Sequence, residues 1–89
     1  MIKHRIETLS STPLDVTYTG VVDPFIVVSI QNIMTTGYAY LGNENVTTSS
    51  YGHKLYPGQS FTAEISPNDK IYAVGDAGVQ VAIFELDVG

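Results

Sequence analysis

Apolar side chains recur at every second position over several short stretches of this chain, and a period of two predicts strands. Leu14-Asp15-Val16-Thr17-Tyr18 alternates in this way, and its branched and aromatic residues suit a half-buried strand. Ser60 to Ile65 alternates again, with Phe61, Ala63 and Ile65 on one face. Phe25-Ile26-Val27-Val28-Ser29-Ile30 is the most apolar run. A run so short and β-branched predicts a core strand and not a helix. Tyr38 to Leu41, Lys54 to Tyr56, Lys70 to Val74 and Val79 to Leu86 complete the set. In the last of these, Val79, Val81, Ile83 and Glu85 share one face, while Gln80, Ala82, Phe84 and Leu86 share the other. Both faces carry large apolar groups, so this strand is central or its outer face meets a partner.

The segments between these runs carry turn chemistry. Pro57-Gly58 predicts a type II turn, because proline presets φ at its first central position and glycine accepts positive φ at its second. Gly20 and Asp23-Pro24 mark a break, as do Gly42-Asn43-Glu44-Asn45 and Ser66-Pro67-Asn68-Asp69. Asn32 to Gly37 reads as a connection, and Val46 to Ser50 as a short extended piece plus loop. Gly75-Asp76-Ala77-Gly78 predicts a hairpin joining the last two strands. Ser10-Ser11-Thr12-Pro13 is a turn or loop. Ile2, Ile6 and Leu9 stand among charged residues at spacings of four and three, which suit one or two helical turns; in so β-rich a chain residues 1–13 read equally as an extended N-terminal arm or an edge strand. The expected fold is all-β: a small antiparallel β-sandwich or barrel of seven to eight short strands, in one domain over residues 1–89.

Charge narrows the partners. The chain has 89 residues, of which 44% are hydrophobic and 15% charged, with a formal net charge of −5. Nucleic acid needs a basic footprint, and so does an anionic membrane surface, so neither is an expected partner. No run approaches the ~20 apolar residues of a membrane span, and the first residues show no apolar signal core. So low a charged fraction in a small domain predicts apolar surface covered by other subunits. The acids are scattered and predict a solvated surface.

Candidate chemistry is sparse. With no cysteine, thiolate metal sites, disulfides and cysteine nucleophiles are excluded. His4 and His53 have no metal-ligand spacing, and no serine lies in a nucleophile-elbow pattern. Gly42 to Gly52 lacks the phosphate-loop pattern, and no helix follows it. No catalytic, cofactor or metal residue is therefore assigned, and no cofactor is expected. Tyrosine is flat and amphipathic, which suits both strand packing and interfaces. Tyr40 and Tyr72 read as strand packing. Tyr38, Tyr51 and Tyr56 sit at strand ends or in loops and are candidate interface residues, with Ile2 and Ile6 of the N-terminal segment.

Leu41-Gly42, Val46-Thr47, Gly52, Leu55, Pro57-Gly58-Gln59-Ser60, Asp69-Lys70-Ile71-Tyr72-Ala73, Val79-Gln80-Val81 and Glu85 together form a pattern. It resembles one found in small virion β-sandwich proteins of tailed phages, including head decoration and head-fibre-like proteins. The likeness covers about half the chain, and Ile71 stands where the pattern usually has leucine. It implies a non-enzymatic virion component: a capsid decoration protein on the outer surface of a phage head, made in the host cytoplasm. Its implied partner is the major capsid protein, and it implies a homo-oligomer, a trimer being one form. Residues 1–37 lie outside the likeness and are the expected place for particle-specific contacts.

Two other readings compete. Tyrosine content and the hydroxyl-rich Val46 to Ser50 segment suit a host- or carbohydrate-binding fibre module. A cupin-type enzyme shares the Pro-Gly turn but needs a cluster of histidines, and this chain has only two.

Overall fold

The computed structural model describes residues 2–17, 25–66 and 68–87. Tyr18, Gly20, Asp23-Pro24 and Pro67 lie outside the described residues. Among the described residues eight strands follow in chain order: β1 (Ile2–Thr8), β2 (Leu14–Asp15), β3 (Ile26–Asn32), β4 (Ala39–Gly42), β5 (His53–Leu55), β6 (Ser60–Ile65), β7 (Tyr72–Gly75) and β8 (Gln80–Asp87). The predicted strands are all present: Ser60–Ile65 keeps its predicted bounds, and the others are shifted at one end or both by a residue or more. Val46 to Ser50 adds no strand and belongs wholly to the loop between β4 and β5.

The pairing follows a simple rule. β1 pairs with β8, β2 with β7, β3 with β6 and β4 with β5, all antiparallel. The chain is thus one long ribbon, doubled back at the β4–β5 loop and rolled up. Rolling adds the pairs β3–β8 and β4–β7. Two sheets of four strands result, ordered β1-β8-β3-β6 and β2-β7-β4-β5. This is a jelly-roll sandwich, the double-sheet solution to the problem of open sheet edges.

The predicted hairpin between the last two strands is not formed. β7 lies in the second sheet and β8 in the first. The turn at Asp76-Ala77-Gly78, closed by Val79 N–H on the Asp76 carbonyl at 3.0 Å, carries the chain across the sandwich. The reason lies in burial. Ala73 of β7 and Val81 and Ile83 of β8 all enter the same core. They reach it from opposite sides, which two adjacent strands of one flat hairpin cannot do.

The core between the sheets holds Val28, Ile30, Val81 and Ile83 from the first sheet and Ala39, Leu41, Leu55 and Ala73 from the second. Phe61 and Ile65 pack at its margin, on the face that their alternation predicts. Of the readings of the N-terminal segment, residues 2–8 take the edge strand and form no helical turn, because they pair in register with β8 from Ile2↔Leu86 to Thr8↔Gln80. Leu9 then turns into the core. β8 is central in its sheet, between β1 and β3.

Two devices hold the sheets together. Asn32, buried at the end of β3, donates from Nδ2 to the carbonyls of Leu55 and Gly37, each at 3.1 Å, and accepts from Met34 N–H at 3.0 Å. At the other side, Arg5 of β1 reaches the second sheet, donating to the Asp15 carbonyl at 3.2 Å. The Pro57-Gly58 turn has the predicted form: Gln59 N–H bonds the Tyr56 carbonyl at 2.9 Å, and Gly58 has φ of 83°.

Candidate interaction surfaces

Successive side chains of a strand point to opposite faces, so register alone maps the outer face of the first sheet. Reading across β1, β8, β3 and β6, one row is Ile2, Leu86, Val27 and Glu64. The next is His4, Phe84, Ser29 and Thr62. The third is Ile6, Ala82, Gln31 and Ser60. Ile2 is 60% exposed, Ile6 58% and Phe84 44%, and Leu86 is exposed beside them. Phe25, one residue before β3 and in phase with Val27, is also exposed. An apolar patch therefore spans three strands on the outside of the molecule. Its ionisable members are His4 and, at the β6 margin, Glu64.

The inner side of β1 is polar. Lys3, Arg5 and Glu7 alternate with the exposed isoleucines and are half-buried. Arg5 Nε lies 3.7 Å from a Glu7 carboxylate oxygen. Glu85 of β8, the direct cross-strand neighbour of Lys3, is buried. This acid departs from the expected solvated surface, because its strand phase turns it inward with Val81 and Ile83. Charged residues on the inner side of an edge strand discourage open-ended addition of further strands.

The outer face of the second sheet gathers tyrosines. Tyr40 and Val74 are buried there with Val46 of the β4–β5 loop, and Tyr38 and Tyr72 pack against them. Tyr51 leans on Tyr40, ring centroids 5.0 Å apart, and Tyr56 meets Tyr38 edge-on at 5.2 Å. Lys54, opposite Tyr40 in register, sets its ammonium 4.2 Å from the Tyr38 ring centroid and 5.0 Å from that of Tyr56. The ammonium also stands 5.6 Å from the Tyr40 ring centroid, and a cation over three rings is drawn to their electron density. Tyr51 and Tyr56 remain 45% and 49% exposed. Tyr51 also borders a shallow cleft of about 290 Å³, lined by Asn43, Asn45 and Ser50 among others.

The candidate interface residues thus fall into two groups. Tyr38, Tyr51 and Tyr56 share the outer face of the second sheet, while Ile2 and Ile6 lie on the outer face of the first, across the core. Phe84, Leu86 and Lys54 belong with these groups and were not among the candidates. The two-face pattern of the last strand was the available signal for Phe84 and Leu86. Lys54 had none, because its partners come from β4 and from beyond β5.

His4 and His53 lie on different sheets, and His53 stacks beside Phe61 at 5.1 Å. Among the described residues, no three His, Asp or Glu side chains group to hold a metal ion. No described helix is long and apolar enough to cross a membrane.

The fold is similar to that of a bacterial pilus protein. The match is a solved structure from Bacillus endospore appendages, a family of disulfide-linked pili. It has a TM-score of 0.57 at 14% identity, over 100% of this chain and 87% of that one. At such identity the likeness shows the fold alone. This chain has no cysteine with which to form such links. No family model matches the sequence, and neither does any curated protein.

Proposed function

We propose that this chain is a non-enzymatic structural subunit of a virion, carried in many copies on the outside of a phage head and bound to the major capsid protein. The observation that carries the reading is the pair of sticky faces on opposite sides of one small sandwich. Ile2, Ile6, Phe84 and Leu86 are exposed on one, and Tyr51 and Tyr56 on the other. Monomers rarely expose an apolar patch beyond a few hundred Å². A domain with large apolar and aromatic side chains exposed on two opposed sides suits a place between neighbours. Many copies on a lattice let weak single contacts add through avidity. The phage-like pattern in residues 41–85 supports the head as the lattice. The test is to mix purified protein with undecorated capsids. Binding and a gain in the particle's heat resistance are expected, and the absence of both overturns the reading.

A second reading, a carbohydrate-binding fibre module, is favoured by one observation: Tyr51 stands exposed beside the small neutral cleft of Asn43, Asn45 and Ser50. Amide and hydroxyl groups next to an aromatic ring match the hydroxyls and apolar face of a neutral sugar. A glycan array decides it. A hit that Tyr51→Ala removes favours the fibre module, and an empty array leaves the decoration protein.

A further inference from the structure

We infer that the outer face of the first sheet is a self-recognition surface, and that two copies of this chain pack back to back through it with Phe84 at the two-fold axis. The inference deepens the structural-subunit reading by naming the partner of one face.

Electrostatics argues for a second copy. A chain of net charge −5 repels its own copies over most approaches. The β1-β8-β3 part of this face is the exception. Its rows carry Ile2, Leu86, Val27, Phe84, Ser29, Ile6, Ala82 and Gln31, with His4 the one ionisable group and Glu64 out on β6. Two acidic molecules can meet here without opposing carboxylates.

Register argues for symmetry. Phe84 sits in the middle row on the central strand of the patch. A two-fold axis across the strands lays each strand over its own copy and puts Ile2 over Ile6 and Leu86 over Ala82. An axis along β8 lays β1 over β3 and puts Ile2 over Val27. Both arrangements bring Phe84 onto Phe84 and keep Glu64 away from its counterpart. Stacked sheets cross at about 30° and lie about 10 Å apart, so the contact is closest at this centre and opens toward the corners.

Area sets the strength. Seven residues span roughly 23 Å; four overlapping strands span roughly 19 Å with the axis across the strands, and three span roughly 14 Å with the axis along β8, a flat footprint of about 330–440 Å² per copy. Two copies give about 660–900 Å², short of the ~1,200 Å² at which specific stable complexes begin. The dimer is therefore weak in dilute solution and becomes populated at high protein concentration or where copies are already held side by side.

Sedimentation across a concentration series tests this. The wild type is expected to shift from monomer to dimer as its concentration approaches the millimolar range. Phe84→Asp should weaken that association at least about thirty-fold, as loss of a central anchor does. Ile6→Ser, at the exposed edge, should weaken it by a smaller factor and serves if Phe84→Asp fails to fold by circular dichroism. Tyr51→Asp, on the opposite face, should leave it unchanged. A wild type that stays monomeric throughout overturns the inference. So does association that survives in folded Phe84→Asp and Ile6→Ser, or that Tyr51→Asp abolishes. Capsid binding is read separately: a monomer that still binds shells overturns only the dimer, and a dimer that ignores them overturns only the decoration role.

Discussion

Asn32 and Leu55 are joined across the sandwich. The Asn32 side-chain amide donates to the Leu55 carbonyl at 3.1 Å, tying the last residue of β3 in one sheet to the last residue of β5 in the other. The same amide holds Gly37, the carboxamide oxygen takes Met34 N–H, and the Asn32 backbone exchanges bonds with Gln59 and Gly58. One side chain thus fixes where the strand stops, how the next loop leaves and how the sheets align.

Asn32→Leu is nearly isosteric yet strips all three side-chain bonds and leaves the Leu55 carbonyl buried without this donor. A buried polar group losing its partner costs about 1–3 kcal/mol. The expected loss is about 2–4 kcal/mol, read as a lower urea midpoint with an unchanged denaturant slope.

The tyrosine face has its own test. Lys54→Met keeps the aliphatic stem and removes the cation from among Tyr38, Tyr40 and Tyr56. The expected destabilisation is about 0.5–1 kcal/mol, the range for partly exposed cation–π contacts. With no tryptophan in the chain, emission is tyrosine alone, so the same variant should change the fluorescence spectrum or yield.

Two glycines with similar backbone angles should respond unequally. Gly58 has φ of 83° and open space where a Cβ would go, so Gly58→Ala costs only the conformational strain, about 1 kcal/mol. Gly37 has φ of 91°, and a Cβ there would stand 2.7 Å from Val79 Cγ2 in the core margin. Gly37→Ala should cost about 1–3 kcal/mol more than Gly58→Ala, because strain and overpacking add. Thermal melts of the two variants in parallel check the order.

Arg5 closes the side of the sandwich where β1 faces β2. Arg5→Met retains length and apolar contact but loses the donation to Asp15 and the charge beside Glu7. Amide exchange should accelerate in β1, roughly ten-fold for about 1.4 kcal/mol of local stability, while β3, central and buried, stays protected. Uniform acceleration across all strands would show that Arg5 supports the whole fold and not one edge.

The rolled ribbon also predicts slow folding. β1 and β8 lie far apart in sequence yet pair along all seven residues of β1. Closing such contacts costs entropy before they contribute, and folds dominated by non-local pairs take milliseconds to seconds. Stopped-flow refolding faster than about a millisecond would contradict this.

Much of the secondary structure was legible residue by residue. Ser60 to Ile65 carries its inward face in its own alternation, and Pro57-Gly58 carries its turn in two side chains that fix φ. Asn32 was not legible as a junction. An asparagine after an apolar run reads as an ordinary turn former, and its partners at Leu55 and Gln59 lie more than twenty residues away. The turn at Asp76 to Gly78 was legible as a turn, but not as a passage between sheets. A tight turn looks the same locally whether its strands pair or part. Of the candidate interface residues, each was legible as exposed or semi-exposed, but their division between opposite faces was not.

The amino-acid order by itself determined where the chain extends, where it turns and which side chains alternate. It also excluded thiol chemistry. A period of two is a local property, set by backbone geometry and by the polarity of each residue. Only the tertiary structure decided which strand lies beside which, and hence that Phe84 joins Ile2 and Ile6 while Lys54 joins the tyrosines. The physical reason is that an apolar strand face states its need for burial without naming the neighbour that meets it. That choice is made by the whole chain at once, when β1 closes on β8 and every inward face fills a single core.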